Sequence, residues 1–223
     1  MFVAKNAYAE VDISKVYFEL GATHIDGQSL TSDSENMRTT LMPLTIKKQH
    51  RNLSFGIMLT HLKIKTNQYR HQGIGDSFLT LGYEITPALT LNIIEKMATG
   101  DETKRLSTGK NDTSVELKSM IPDLTSNYEF SAKIRYSFIG KNTLYEMQNS
   151  AAISIGSLYK FPKKTALGVQ LNYQQNAFKH LDNQLGFTTS ISKNINQYLH
   201  FSAFAGFDNT QTHSFGVSLN GKF

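Results

Sequence analysis

From Ser214 to the end of the chain, apolar and polar side chains take strict turns. Phe215, Val217, Leu219, Gly221 and Phe223 share one face, and Ser214, Gly216, Ser218, Asn220 and Lys222 share the other. Successive side chains of a strand project to opposite sides of the sheet, so this period of two predicts a strand with an oily face and a wet one. Leu167, Val169, Leu171 and Tyr173 alternate in the same way with Gly168, Gln170, Asn172 and Gln174. Farther upstream, Tyr128, Phe130, Ala132, Ile134, Tyr136 and Phe138 alternate with Glu129, Ser131, Lys133, Arg135 and Ser137. That places three charges on the polar face and none on the apolar face, which is fit to sit in hydrocarbon.

Four more segments repeat the pattern: Leu53, Phe55, Ile57 and Leu59; Leu79, Leu81, Tyr83 and Ile85; Leu185, Phe187, Thr189 and Ile191; and Leu199, Phe201, Ala203 and Phe207. Less regular ones at 16–20, 42–46, 89–93, 115–121 and 153–161 bring the count to twelve. The clear ones run about ten residues, the length of a tilted strand crossing a bilayer. Connections are short at 48–52, 86–88, 122–127, 162–164 and 193–197, and long at 22–35, 65–75, 98–112, 140–150, 174–184 and 208–213. Tight turns at one end and larger loops at the other are the habit of outer-membrane barrels, and Pro and Asn at the short connections suit turns.

A soluble sandwich or lipocalin-like barrel also alternates, with its apolar face filling the core. Here the polar face is rich in small residues, namely Ser54, Gly56, Gly82, Ser154, Gly156, Gly168, Gly186, Ser190, Ser202 and Gly206. These would pack poorly as a core, whereas in a wet lumen they leave space for water. The sequence therefore predicts an all-β fold, a transmembrane antiparallel up-and-down β-barrel of about twelve strands forming one domain over 1–223.

Composition closes off other classes. With 39% hydrophobic and 18% charged residues the chain is too apolar for disorder, and with no cysteine it has neither disulfides nor thiolate chemistry. No apolar run reaches the ~18 residues of a spanning helix. The net charge is +5, but Lys and Arg are scattered, so no nucleic-acid partner is expected. Met1, Phe2, Val3, Ala4, Lys5 and Asn6 lack the charged-then-apolar order of a secretory signal, and the expectation is a mature exported chain with an added Met.

Two stretches carry a family resemblance. Gly73, Ile74, Gly75 and Asp76 run into the segment 79–83, and Lys96, Met97, Ala98, Thr99, Gly100 and Asp101 are followed by Ser107, Thr108, Gly109, Lys110, Asn111 and Asp112. Together they resemble the outer-membrane transporter family named for the meta-pathway of phenol degradation, with Ala98 where that family usually has Pro. The likeness spans about 40–223 in strand order. It implies a monomeric barrel in the bacterial outer membrane with a transport role. Phe223, closing an amphipathic strand, resembles the C-terminal signature that the barrel-assembly machinery recognises, although Gly221 departs from the bulky residue usual there.

The inward-facing charges are the candidate selectivity residues, because water-filled barrels tune solute passage with inward side chains. Glu84, Lys96, Glu116, Lys118, Glu129, Lys133 and Arg135 fall on neighbouring strands and make one wall of mixed charge, while the wall from Gly168 to Asn220 is largely neutral. Pairing Ile121 with Tyr128 across the turn sets Glu116 opposite Lys133 and Ser114 opposite Arg135. The loop-motif residues Gly100, Asp101, Gly109 and Asp112 have a local explanation, since Gly accepts positive φ and Asp caps turns. The segment 107–112 lacks the spacing and context of a phosphate loop.

No histidine pair has metal-ligand spacing, so no metal or cofactor is expected, and His200 is the one histidine on a lumen-facing position worth watching. The aromatic residues near strand ends fit a girdle, with only Phe78, Tyr198 and Phe204 in the inward phase. The expected function is an outer-membrane channel or transporter for passive or facilitated diffusion of small molecules, hydrophobic or aromatic compounds among them. Its partners are then membrane lipid and a small solute. The alternatives are a lipid-modifying enzyme, for which the outward His61 is the one feature, and a structural or adhesive barrel with partner-binding loops.

Overall fold

The computed structural model describes residues 14–29, 32–122, 127–141 and 146–223. The strands are β1 (Lys15–Ser29), β2 (Ser32–His50), β3 (Leu53–Lys65), β4 (Arg70–Ile74), β5 (Ser77–Thr86), β6 (Leu89–Met97), β7 (Asp112–Pro122), β8 (Tyr128–Phe138), β9 (Ser150–Phe161), β10 (Thr165–Gln174), β11 (Gln184–Asn194), β12 (Leu199–Asp208) and β13 (His213–Lys222). All pair antiparallel. β1 pairs with both β2 and β13, and β2 also pairs with β3, so the sheet closes on itself.

β3 is shared between two partners. Its first half pairs with β5, from Leu53↔Tyr83 to Met58↔Phe78, and its second half pairs with β4, from His61↔Ile74 to Lys65↔Arg70. β4 and β5 are thus one wall strand interrupted at Gly75 and Asp76, and the barrel has twelve positions around its circumference. The twelve segments expected from alternation each lie within one of these positions. Short turns gather at the end where Val16 and Phe223 exchange backbone hydrogen bonds of 2.8 Å. By the habit of such barrels that end is periplasmic.

Two expected loops are largely strand. β1 and β2 continue as a paired ribbon through Thr23↔Leu41 to Gln28↔Asn36, where a loop was expected over 22–35, and β4 lies inside the expected loop 65–75. Beyond the hydrocarbon the backbone still pairs but no lipid demands an oily face, so alternation fades while the strand goes on. Residues 30–31 and 142–145 of the expected loops, 123–126 of the expected turn 122–127, and the N-terminal 1–13 lie outside the described residues.

The faces are disposed as the alternation requires. Ile134, Val169 and Val217 are 56%, 43% and 46% exposed, and among the described residues the buried apolar side chains are only Ile64, Leu106 and Phe178. A soluble fold would not leave so many large apolar side chains bare, whereas lipid makes them the favourable exterior. The aromatic girdle is present at both ends. Near the periplasmic end Tyr159 lies 4.9 Å from Tyr128 and 4.7 Å from Phe161, centroid to centroid. At the other end Phe187 meets Phe207 at 6.0 Å, and the hydroxyls of Tyr136 and Tyr173 accept hydrogen bonds of 3.2 Å from Asn149 and Asn183.

Tyr198 departs from expectation. It stacks outside the barrel on Phe223, with centroids 6.4 Å apart and planes 6° apart, because the strand begins only at Leu199 and its inward phase does not extend back into the turn. The oddity of Gly221 is resolved at the same seam. Phe18 is its register partner on β1, and that ring fills the space a side chain on Gly221 would take. An aromatic ring laid over a cross-strand glycine is a known way of sealing a sheet.

Candidate functional site

Inside the barrel the charged residues form separate groups set by strand register. The expected pairing of β7 with β8 is corrected by two residues. Pro122 pairs with Glu129 and Ile121 with Phe130, which sets Glu116 opposite Arg135, Ser114 opposite Ser137, and Lys118 opposite Lys133. Strand β7 runs on through the proline, so the closing pair moves one residue along the chain on both strands. An even slip leaves each side chain on its face, and only the partners change.

Glu116 is 6% exposed and sits at the centre of the first group. Its Oε2 accepts from Arg135 Nε at 2.9 Å and Nη2 at 2.5 Å, while Oε1 accepts from Asn92 Nδ2 at 3.2 Å. Lys118 and Lys133 face each other beside this pair, and neither is in an ion pair among the described residues. Glu84 accepts from Gln49 Nε2 at 3.3 Å. Glu129 is held by Lys160 at 2.5 Å, and His200 faces the lumen, hydrogen-bonded through Nδ1 to Asn194 Oδ1 at 2.7 Å.

The loop-motif residues form the second group, at the outer rim. Lys96 Nζ lies 2.5 Å from Asp112 Oδ2 and 3.6 Å from Asp76 Oδ2, and donates to Thr108 Oγ1 at 2.7 Å. Each carboxylate also grips a loop backbone: Asp112 Oδ1 accepts from Gly140 N at 2.8 Å, and Asp76 Oδ1 from Gly100 N at 3.3 Å. Leu106, 3% exposed, folds back against the glycines. A Cβ on Gly100 would stand 2.5 Å from the Leu106 carbonyl oxygen, so the chain approaches there as only glycine permits.

Gly109 takes φ +72° and faces the Glu102 carboxylate. Asp101 caps the turn, with Oδ1 accepting from Thr103 Oγ1 at 2.6 Å and Lys104 N at 3.2 Å. Hydrogen bonds from Thr103 and Lys104 hold its carboxyl at a pKa of about 2. The motif thus fastens the loop 98–111 to the wall, through bonds among its own residues.

The inward phase expected of Phe78 and Phe204 is observed, whereas sequence reasoning missed Lys47, Glu19, Met58 and Ile94 in the lining and Asp76 as a partner of Lys96. Met58, Phe78 and Ile94 face inward and share a cavity of about 460 Å³ with Lys96, Asp112, Ser114 and Arg135. Phe204 also faces the lumen and lies over Gly216. Lys47 lines a second cavity, about 420 Å³, with Tyr17, Glu19, Asn220 and Lys118 reaching from the opposite wall. The expected strand segment stopped at 46 and the expected turn began at 48, so Lys47 fell between them.

A family model described as Putative MetA-pathway of phenol degradation matches residues 23–220. The chain belongs to this family. No curated protein matches the sequence. Among solved structures, an outer membrane channel from Pseudomonas putida F1 superposes with a TM-score of 0.77 at 11% identity, covering 100% of both chains. The KdgM porin, solved with disordered oligogalacturonate, gives 0.61 at 12% identity over 93% of this chain and 99% of its own. The β domain of the Bordetella autotransporter BrkA gives 0.60 at 9% identity, over 94% and 99%. At such identities the likeness is one of fold, a closed antiparallel β-barrel.

Proposed function

We propose that this barrel is a passive channel for small molecules across the bacterial outer membrane. One observation carries the reading: a closed barrel with an apolar exterior has small polar residues and cavities of about 330 to 460 Å³ along its inside. Twelve strands lie between the eight of side-chain-filled barrels and the sixteen of open porins, which leaves a narrow lumen. Glu84, Lys96, Glu116, Lys118, Glu129, Lys133, Arg135 and His200 would then tune what passes, with the loop 98–111 fixed beside the mouth.

The lipid-enzyme alternative draws nothing from His61, whose cross-strand partners Met42 and Ile74 supply neither nucleophile nor orienting acid. The exposed apolar and aromatic exterior supports membrane lipid as a partner. Planar-bilayer recording of the refolded protein tests the function. Discrete conductance steps are expected, and a silent bilayer holding folded barrels would end this reading.

A further inference from the structure

Three of the cavities inside the barrel share lining residues. The outer one, about 460 Å³, includes Arg135 in its lining. Arg135 also lines a second, about 330 Å³, with Glu116, Lys118, Lys133, Ser154 and Gln170. Lys118 in turn lines the third, about 420 Å³, beside Tyr17, Glu19 and Lys47. Arg135 lies where the first two adjoin and Lys118 where the last two adjoin, while Thr45 lines both the first and the third.

The local charge at these junctions is positive. Arg135 is matched by Glu116, and Lys47 shares its surroundings with Glu19 and Glu84. Lys118 and Lys133 share a cavity with Glu116, whose carboxylate is already held by Arg135, and they are directly opposed across β7 and β8, where like charges repel. Neither is in an ion pair among the described residues. Two ammonium groups placed side by side on a lumen wall lower the energy of an anion between them.

The outer cavity adds a second requirement. Met58, Phe78, Ile94 and Ile139 give it an apolar shelf, beside Arg135 and the hydroxyls of Ser114 and Ser137, themselves 2.8 Å apart. A polar wall alone would serve inorganic ions. A shelf that size next to a cation favours a molecule with an apolar body and a charged end.

Resting on the channel reading above, we infer that the preferred solute is a small organic anion with an apolar body, such as an arenecarboxylate. Its body would lie on Phe78 and Met58, while its carboxylate passes from Arg135 to Lys133 and Lys118.

The test is single-channel recording of the whole barrel in a potassium chloride gradient, with benzoate, formate and benzyl alcohol as probes. The reversal potential is expected to show chloride permeating better than potassium, and benzoate to block at about tenfold lower concentration than formate, which lacks the body, or benzyl alcohol, which lacks the charge. The double variant Lys118→Gln with Lys133→Gln relieves a repulsion and so keeps the fold; it is expected to weaken benzoate block several-fold and move the reversal potential toward zero. Cation preference, equal block by the three probes, or a double variant indistinguishable from the parent would each overturn the inference while leaving the channel intact. A channel that never conducts removes the channel reading itself.

Discussion

Arg135 directs two nitrogens, Nε and Nη2, at the same oxygen of Glu116, and it does so from a side chain 40% exposed toward one only 8% exposed. The carboxylate is the hidden partner and, among the described residues, the guanidinium is its only ion-pair partner. Replacing Arg135 with Ala strands that carboxylate against Asn92 alone. The expected cost is about 1 to 3 kcal/mol, below that of a fully dry pair because the lumen is wet. Urea unfolding of the variant in detergent micelles measures it, and Glu116→Gln, which strands no buried charge, should cost less.

The register of β7 against β8 is open to a direct chemical check, since the chain has no cysteine of its own. Lys118→Cys combined with Lys133→Cys should form a disulfide under mild oxidation, because opposed residues bring their Cβ atoms within about 5.5 Å. Glu116→Cys with Lys133→Cys, two residues out of register, should cross-link poorly. The reverse outcome, read on reducing and non-reducing gels, would restore the pairing expected from the turn.

Lys96 holds the rim together. With its side chain 14% exposed and both carboxylate partners 12% exposed, Lys96→Met leaves Asp76 and Asp112 facing each other with no cation between them. The loss is about 3 kcal/mol by analogy with broken buried pairs, and it falls on the loop rather than on the transmembrane wall. Trypsin should then cut after Lys104 or Arg105 much faster than in the parent. Gly100→Ala, which pushes a methyl into the Leu106 carbonyl, should act in the same direction.

The cap at Asp101 has a pH signature. Its carboxyl in the folded loop titrates near 2, below the ordinary aspartate value, so the folded loop favours the charged form. The contribution is therefore present above the ordinary value and is lost as the pH falls through about 2. Carboxyl-carbon NMR should show Asp101 still ionised near pH 3, where a free aspartate is mostly protonated. A midpoint near 4 would mean that the Thr103 and Lys104 contacts are not made in solution.

The walls of this barrel were legible because lipid imposes a strict rule on each outward position: β8, β10 and β13 alternate without a break, and nothing else explains Ile134 facing out between Lys133 and Arg135. Strand β4 was hidden for the opposite reason. Arg70, His71, Gln72, Gly73 and Ile74 lie at the rim, where backbone pairing suffices and side chains are unconstrained. Register was legible only to within an even number, since both solutions keep the same faces and only the turn discriminates. The inward charges on β5 to β8 could be named one by one, but not the meeting of Lys118 with Glu19 and Lys47 in one cavity. That depends on the curvature that brings β7 across from β1 and β2, which no local pattern encodes.

The ring of Phe18 over Gly221 gives the seam between the first and last strands an unusual property. Before β1 docks, β13 presents a bare stretch of main chain at that point, and the ring arrives only with its correct neighbour. A slip by one residue would turn Phe18 to the watery side and leave the gap uncovered. Closure in the wrong alignment is thus penalised by the membrane itself, and the barrel carries its own proofreading at the join.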